Sequence, residues 1–527
     1  MSTPAAVSAA GPAPPTPWRL GQLGDWLALS AGALLTLAFA PFNLYPLAIL
    51  LPASLLWLWE DLTPARAAWR GCLFGLGLFT TGIYWVYISL HHYGHAPAAF
   101  AVLATLLLIL YMALYPTAAG YLLARWAPRA GPVKWLLVAP ALGAGLEWVR
   151  SWLLTGFPWL NLGYSQVDGP LANIAPCLGV FGVSWAVWFC AGLLLLLLRA
   201  DNSLQRLGWA GLAVVFWIGA WGLGRIDWVQ PEGNPLRVSL VQGNISQDQK
   251  FRPEQLEETL RLYARLSLTQ GEGSDVIIWP ETAIPAFYEE VAGFVAGLEE
   301  EARASGVDYL IGAPAGSWQT GIFYNGVVSL GSSRGFYAKH RLLPFGEYLP
   351  LRVLLTFFRN MVDIPLADFT PGRPDQPLLR AAGHPVGVSI CFEAVFGSEI
   401  RLTLPAARFL VNVSNDAWFG DSLAPHQHLQ IARMRSLEAG RYMARATNTG
   451  ISAFIDARGR ITAQGNQFKV EVLRSSVQPL SGSTPYARLG DGVTVGLLAG
   501  LLVLGARLER RAREVRNPQT APPQQHG

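Results

Sequence analysis

Apolar residues run in long, almost unbroken windows through the first 225 positions and again near the C-terminus, whereas positions 236–478 carry only short apolar runs interrupted by Gly, Pro and Asn. A helix needs about 20 apolar residues to cross a hydrocarbon core. Seven windows approach that length, at 26–40, 45–58, 71–90, 98–122, 133–148, 175–198 and 207–223, and an eighth lies at 493–505. The first, second and fifth are the shortest. The pattern predicts a polytopic α-helical membrane bundle of about eight spans carrying one large polar insert.

Inside the insert the periodicity changes. Strands are expected at 237–244, 275–282, 308–315, 324–331, 386–393, 408–418 and 450–459, where β-branched residues cluster between turn formers. Helical spacing recurs at 252–268, 291–306 and 426–446. Strands interleaved with helices predict a layered α/β domain with a buried sheet. The expected boundaries are a disordered cytoplasmic tail at 1–22, a seven-helix membrane domain at 23–228, the α/β domain at 236–478, a C-terminal span at 492–508 and a basic cytoplasmic tail at 509–527.

Composition agrees with membrane residence: of 527 residues 52% are hydrophobic and only 14% charged. The net charge of +4 matters less than its placement. Arg19, Arg66, Arg70, Arg125, Arg129, Lys134, Arg199, Arg206 and the arginines at 507–516 fall in one set of connections, while the alternate set holds only Arg150. Basic connections face the cytoplasm, so both termini are expected there and the insert on the opposite side. A cleaved signal peptide is the rival reading of the first window, because Arg19, an apolar run and "AFA" at 38–40 loosely fit one.

Three of the four cysteines, Cys72, Cys177 and Cys190, fall in apolar windows, leaving Cys391 alone in the insert without a disulfide partner. In "VGVSICFE" (386–393) a period of two puts Val386, Val388 and Ile390 on one face and Gly387, Ser389 and Cys391 on the other. Taken alone, a strand cysteine is a core residue. A nucleophilic thiol would need a base or a nearby cation, since a free thiol is only slightly ionised at neutral pH. Glu281 follows the strand in "VIIWPETAIP" (276–285), and Lys339 and Glu347 lie in "YAKHRLLPFGEYLP" (337–350). Taken singly, Glu281 reads as an acid at a helix start and Lys339 and Glu347 as solvated surface charges.

The order Glu281, Lys339, Cys391 resembles the nitrilase superfamily, and the wording around each residue is similar to its apolipoprotein N-acyltransferase branch. The matching stretches are "LVQGNISQ" (240–247), "IIWPETAIP" (277–285), "KHRLLPFGEYLP" (339–350), "SICFEAVF" (389–396), the long run at 413–453, "TPYARLGD" (484–491) and, in the membrane region, "TGFPWLNLGYSQ" (155–166). That resemblance implies an α-β-β-α sandwich of the nitrilase type. It implies Glu281 as proton acceptor, Cys391 as nucleophile and Lys339 as the cation facing an oxyanion, with Glu347, Phe392 and Glu393 in support. Two departures stand out. The family commonly has Tyr where this chain has Phe392, and often Trp where this chain has Phe251, so roles of that hydroxyl or indole do not carry over.

The implied reaction is ping-pong. Cys391 takes an acyl chain from the sn-1 ester of a membrane phospholipid, and the amine of a diacylglyceryl-modified apolipoprotein receives it, in a bacterial inner membrane, by a monomer and without cofactor or metal. Phe251 and Trp418 are candidate substrate contacts. The apolar stretch 351–369, with Leu354, Phe357 and Phe358, reads as a lid or membrane-dipping arm or as a core helix. Phe157, Trp159 and Tyr164 line the acyl-donor entry or form an interfacial aromatic belt. "HQH" at 426–428 is a weak metal motif, and there is no phosphate loop or basic nucleic-acid patch. A membrane amidase resolving its acyl-enzyme with water, and a non-catalytic scaffold, remain open alternatives.

Overall fold

The computed structural model describes residues 20–348 and 368–516. Among these, four helices are long and apolar enough to cross a membrane: Ala98–Trp126, Pro170–Leu198, Ser203–Leu223 and Asp491–Ala512. A fifth arises if Pro64–Gly82 and Trp85–Tyr93, bent by 47°, count as one span. This corrects the expected eight. The other three windows form shorter α-helices, Gly21–Leu35, Leu47–Leu58 and Ala139–Arg150, of 15, 12 and 12 residues, the last continuing from a π-helical stretch at Val133–Val138. At 1.5 Å per residue a 12-residue helix reaches only about 18 Å, against a hydrocarbon core of about 30 Å. A hydropathy window counts apolar residues without sensing where the chain turns, and here it turns at 39–46.

The polar insert folds as two six-stranded sheets. Its strands are β1 (Val229–Pro231), β2 (Leu236–Gln242), β3 (Val276–Trp279), β4 (Asp308–Ser317), β5 (Ile322–Leu330), β6 (Gly335–Ala338), β7 (Leu379–Ala381), β8 (His384–Ile390), β9 (Phe409–Ser414), β10 (Met443–Thr447), β11 (Ala453–Ile455), β12 (Ile461–Gln464), β13 (Glu471–Val477) and β14 (Leu480–Gly482). One sheet runs β13-β2-β3-β4-β5-β6 and the other β12-β11-β10-β9-β8-β7. In the second, β8 lies parallel to β9 with Ile390 opposite Val413, and β9 lies parallel to β10. β1 and β14 pair with each other as a separate ribbon next to the two membrane junctions.

The two sheets face each other across a core that joins Val238, Leu240, Val276, Ile278 and Leu310 to Val386, Val388, Ile390, Val411 and Val413. The predicted parity of Val386, Val388 and Ile390 is therefore what fills this layer. Helices Pro253–Gln270 and Ala292–Ser305 cover one outer face and Ala424–Ala439 the other. The result is an α-β-β-α sandwich. One expected element is corrected: the helix read over 426–446 ends at Ala439, where Gly440 takes φ +62°, and the chain re-enters the sheet as β10. A left-handed residue stops a helix, and glycine enters that region without a Cβ penalty.

Helix Ala424–Ala439 positions the site. Leu429, Ala432 and Ala439 pack toward the sheet, while Ile431, Met434 and Leu437 join the core of the membrane bundle. Most of its polar residues are buried between the two, and several are held by named partners. Gln427 Oε1 accepts from the indoles of Trp159 (2.6 Å) and Trp85 (3.3 Å), and its amide donates to Gly82 O (3.1 Å). Glu438 pairs with Arg435 and accepts from the N–H of Val180 at 2.7 Å. That N–H is available because Gly179, at φ +65°, breaks the Ala175–Leu198 helix.

Candidate active site

Four loops at one end of the sandwich converge. Glu281 follows β3, Lys339 follows β6, Cys391 follows β8 and Asn415 follows β9. Strand ends suit a site because the sheet fixes their backbone while their side chains are free to face one cavity.

Glu281 and Lys339 are 7% and 2% exposed, so neither is a solvated surface charge. Lys339 Nζ lies 2.8 Å from Glu347 Oε2 and 3.6 Å from Glu281 Oε1. Burial works against the ammonium, but the two carboxylates outweigh it and hold Lys339 protonated above the usual lysine range. Asn325 Nδ2 donates to both Glu281 (2.8 Å) and Glu347 (2.7 Å), which fixes their spacing. The second oxygen of Glu281 accepts from the N–H of Asn415 at 2.8 Å, and that of Glu347 from the N–H of Leu343 at 2.7 Å.

Cys391 is the first residue after β8, not part of it, and takes φ +50°. A non-glycine residue in that region costs about 1–3 kcal/mol and needs its surroundings to hold it. The surroundings supply two ties. The carboxylate of Glu393 accepts from the N–H of Ile390 (2.7 Å), just before the cysteine, and His428 Nε2 meets the carbonyl of Cys391 (3.2 Å), just after it. The residue keeps some exposure, yet burial of the thiol and the charge of Glu281 push its ionisation well above the usual range, with Lys339 opposing. The resting thiol is protonated and depends on a base to become a nucleophile.

Glu393 is completely buried and does not join the Glu281–Lys339–Glu347 cluster by any hydrogen bond. It accepts from the N–H groups of His340 (2.6 Å) and Arg341 (3.0 Å) as well as Ile390, and from the Tyr337 hydroxyl (3.2 Å). It thus ties the cysteine turn to the lysine loop. Phe392 is buried and packs its ring edge against Phe396 at 5.0 Å, within the core shared with the membrane bundle. A cavity of about 410 Å³ opens beside it, lined by Thr155, His340, Arg341, Tyr348 and Phe369 among others.

The remaining predicted residues divide. Phe251 and Trp418 are half-buried, the first directly after the short Gln247–Lys250 helix and the second within the Asp416–Phe419 turn. Leu354, Phe357 and Phe358 lie outside the described residues. Trp159 and Tyr164 are each 1% exposed, so they form no interfacial belt. Tyr164 donates to Val395 O at 3.3 Å, and Trp85, Phe157, Trp159 and Phe419 make one ring cluster between bundle and sandwich.

Several site residues were not singled out from the sequence, although four of them lie in the matching run at 413–453. Lys250 is buried and donates to Glu281 O at 3.1 Å; burial lowers it to about 8. Asn325, Asn415, Asp416, His428 and Arg445 are polar residues on apolar-looking elements, and that contrast was the available signal. Among the described residues no group of His, Cys, Asp and Glu could hold a metal ion.

Comparison with known proteins fits both halves. Residues 31–193 match the apolipoprotein N-acyltransferase N-terminal domain, and residues 237–486 match the carbon-nitrogen hydrolase domain. The apolipoprotein N-acyltransferase of Methylococcus capsulatus is 48% identical over 94% of this chain and 98% of its own length. The chain belongs to the apolipoprotein N-acyltransferase family. Family members from Nitrosomonas europaea and Azotobacter vinelandii are 45% and 43% identical, over 91% and 95% of this chain and 96% and 98% of theirs.

Proposed function

We propose that the protein is a phospholipid:apolipoprotein N-acyltransferase that works through a thioacyl-enzyme on Cys391. The observation that carries this reading is the buried Glu281–Lys339–Glu347 cluster beside a strained cysteine turn, with the same turn packed into the core of a membrane bundle. A lipid-facing hydrolase-type site of this kind suits an acyl chain at both ends of the reaction.

In the first half, Glu281 takes the proton of Cys391 and the sulfur attacks the sn-1 ester carbonyl of a phospholipid. Lys339 stands against the developing oxyanion, a contribution typically worth several kcal/mol in a site closed to water. The intermediate collapses by breaking the carbon–oxygen bond. The departing alkoxide takes the proton from Glu281 and leaves as a lysophospholipid. In the second half, the α-amine of diacylglyceryl-cysteine attacks the thioester, Glu281 accepts its proton, and the amide forms as the thiolate of Cys391 departs and is reprotonated. The thioester conserves the acyl energy, so the balance needs no cofactor.

Glu347 holds Lys339, Glu393 holds the turn, and Phe392 with its cavity takes part of the acyl chain. The placement of basic residues supports both termini in the cytoplasm and the sandwich on the outer face of the inner membrane. The domain limits given above, with the four or five spans described in place of the expected eight, and a monomeric state complete the reading.

The test is mass spectrometry of the full-length protein after incubation with phospholipid. One acyl increment on Cys391, absent in Glu281→Gln and discharged to a lipopeptide amine, is expected. Discharge to free fatty acid with no lipopeptide acylation would make the protein an amidase-like hydrolase instead.

A further inference from the structure

The strained turn at Cys391 is held from two sides, and only one of them belongs to the cluster of loops around the site. Glu393 fixes the peptide before the cysteine. The peptide after it is met by His428, which stands on the helix that docks onto the membrane bundle. His428 is 1% exposed, so this contact has no water to replace it.

The imidazole is held in one orientation. Asp416 Oδ1 lies 3.0 Å from Nδ1 and Arg445 Nη2 lies 3.1 Å from the same atom, while Arg445 Nη2 also donates to Asp416 Oδ2 at 2.8 Å. Ser414 donates to Asp416 Oδ1 at 2.8 Å. The carbonyl of Cys391 can only accept, so Nε2 carries a proton. In the neutral ring Nδ1 accepts from Arg445, and in the charged ring it donates to Asp416; either way Nε2–H points at the cysteine carbonyl.

One residue earlier on the same helix, Gln427 is gripped by the indoles of Trp159 and Trp85 and by Gly82 O, all from the membrane bundle. The rings of Trp159 and His428 are 5.8 Å apart. A continuous buried path therefore runs from the bundle through Gln427 and His428 to the backbone of the nucleophile.

We propose that His428 is a positioning residue for the acyl-transfer reaction: it locks the left-handed turn that presents Cys391, and the membrane bundle sets its place through Gln427 and Trp159. This rests on the acyl-transfer reading above. The sandwich alone would then carry a complete set of Glu281, Lys339 and Cys391 side chains with a slack nucleophile.

The experiment follows thioester formation on Cys391 by mass spectrometry, using full-length protein in detergent micelles containing phosphatidylethanolamine. For His428→Leu, a roughly 10²-fold slower rate at saturating phospholipid is expected, the scale on which misplacing a reacting group costs rate. The half-saturating phospholipid concentration should move less than about threefold. His428→Gln, which can keep an N–H toward the Cys391 carbonyl, should recover most of that loss. Trp159→Phe keeps the ring but deletes the indole N–H, and should show the same signature in smaller degree.

A wild-type rate in His428→Leu overturns the proposal, as does a His428→Gln variant as slow as His428→Leu. If His428→Leu does not fold, Trp159→Phe decides. A rate unchanged at saturation, with only the half-saturation raised, would make Trp159 a donor-entry contact and end the coupling idea. Wild-type protein that forms no thioester at all refutes the acyl-enzyme reading instead, so the two failures are distinct.

Discussion

The ammonium of Lys339 lies nearer to Glu347, at 2.8 Å, than to Glu281, at 3.6 Å. Glu347 is thus the carboxylate that anchors the cation, leaving Glu281 free to exchange protons. Glu347→Gln keeps the volume and removes the anchoring charge. Thioester formation should fall by about 10²-fold, the cost of losing one preorganised oxyanion partner. Lys339 keeps Glu281 as a counter-charge at 3.6 Å, so the loss of stability should be smaller than that of a buried charge left without any. Undiminished acylation of Cys391 in this variant would mean that Lys339 needs no anchor.

Glu393 should affect folding and chemistry together. Its side chain accepts from three backbone N–H groups and the Tyr337 hydroxyl in a fully buried position. A buried donor left without a partner costs about 1–3 kcal/mol. Glu393→Ala should therefore lower the unfolding temperature by several degrees, more than Glu347→Gln does, and abolish acylation rather than slow it about 10²-fold. Thermal unfolding followed by tryptophan fluorescence in detergent separates them, and equal melting of Glu393→Ala and wild type would rule out the tie between the two loops.

Seven of the twelve sheet strands among the described residues were legible as short β-branched runs between turn formers, β3 and β9 being buried along their whole length rather than alternating. The short strands β6, β7 and β12 were not, and neither was the seven-residue β13, whose Glu471, Arg474, Ser475 and Ser476 make it too polar to read as a strand. β10 was hidden for another reason: Met443–Thr447 continues the helical spacing of the segment before it, and only Gly440 marks the change. The number of spans was overread because apolar composition does not reveal chain reversal. For the site, Glu281, Lys339, Glu347, Cys391 and Glu393 were named from motif order. His428 was passed over, because a histidine in "HQH" invites a metal reading, while its partners Asp416 and Arg445 are distant from Cys391 in sequence. Phe392, where a tyrosine is usual, packs by its ring against Phe396, and packing of that kind needs no hydroxyl.

Lys250 gives a pH signature. Burial lowers its folded-state value to about 8, while an unfolded lysine titrates near about 10.4. Between these values the unfolded chain binds more protons than the fold at this site, so stability rises with pH, and it is lost as pH falls through about 8. Lys250→Met removes the difference. Unfolding temperatures of the two proteins should diverge with the wild type gaining on the variant from pH 8 to pH 10. Parallel curves across that range would show that Lys250 is not desolvated.

Two of the ion pairs at the junction between bundle and sandwich should differ sharply in weight. Arg433 pairs with Asp168, whose side chain is 42% exposed, and such a pair contributes about 0–1 kcal/mol. Arg435 and Glu438 are 1% and 2% exposed, and Glu438 also receives the Val180 N–H freed by the break at Gly179. Removing Glu438 leaves a buried guanidinium short of a counter-charge and a buried N–H without an acceptor, at a cost of about 3–5 kcal/mol. Asp168→Asn should therefore melt within a degree or two of wild type, while Glu438→Ala should melt far lower. Because the helix that carries Glu438 also carries His428, Glu438→Ala should slow acylation of Cys391 even at temperatures where it stays folded. If both variants melt together, the break at Gly179 is not a docking point and the bundle holds the sandwich by apolar contact alone.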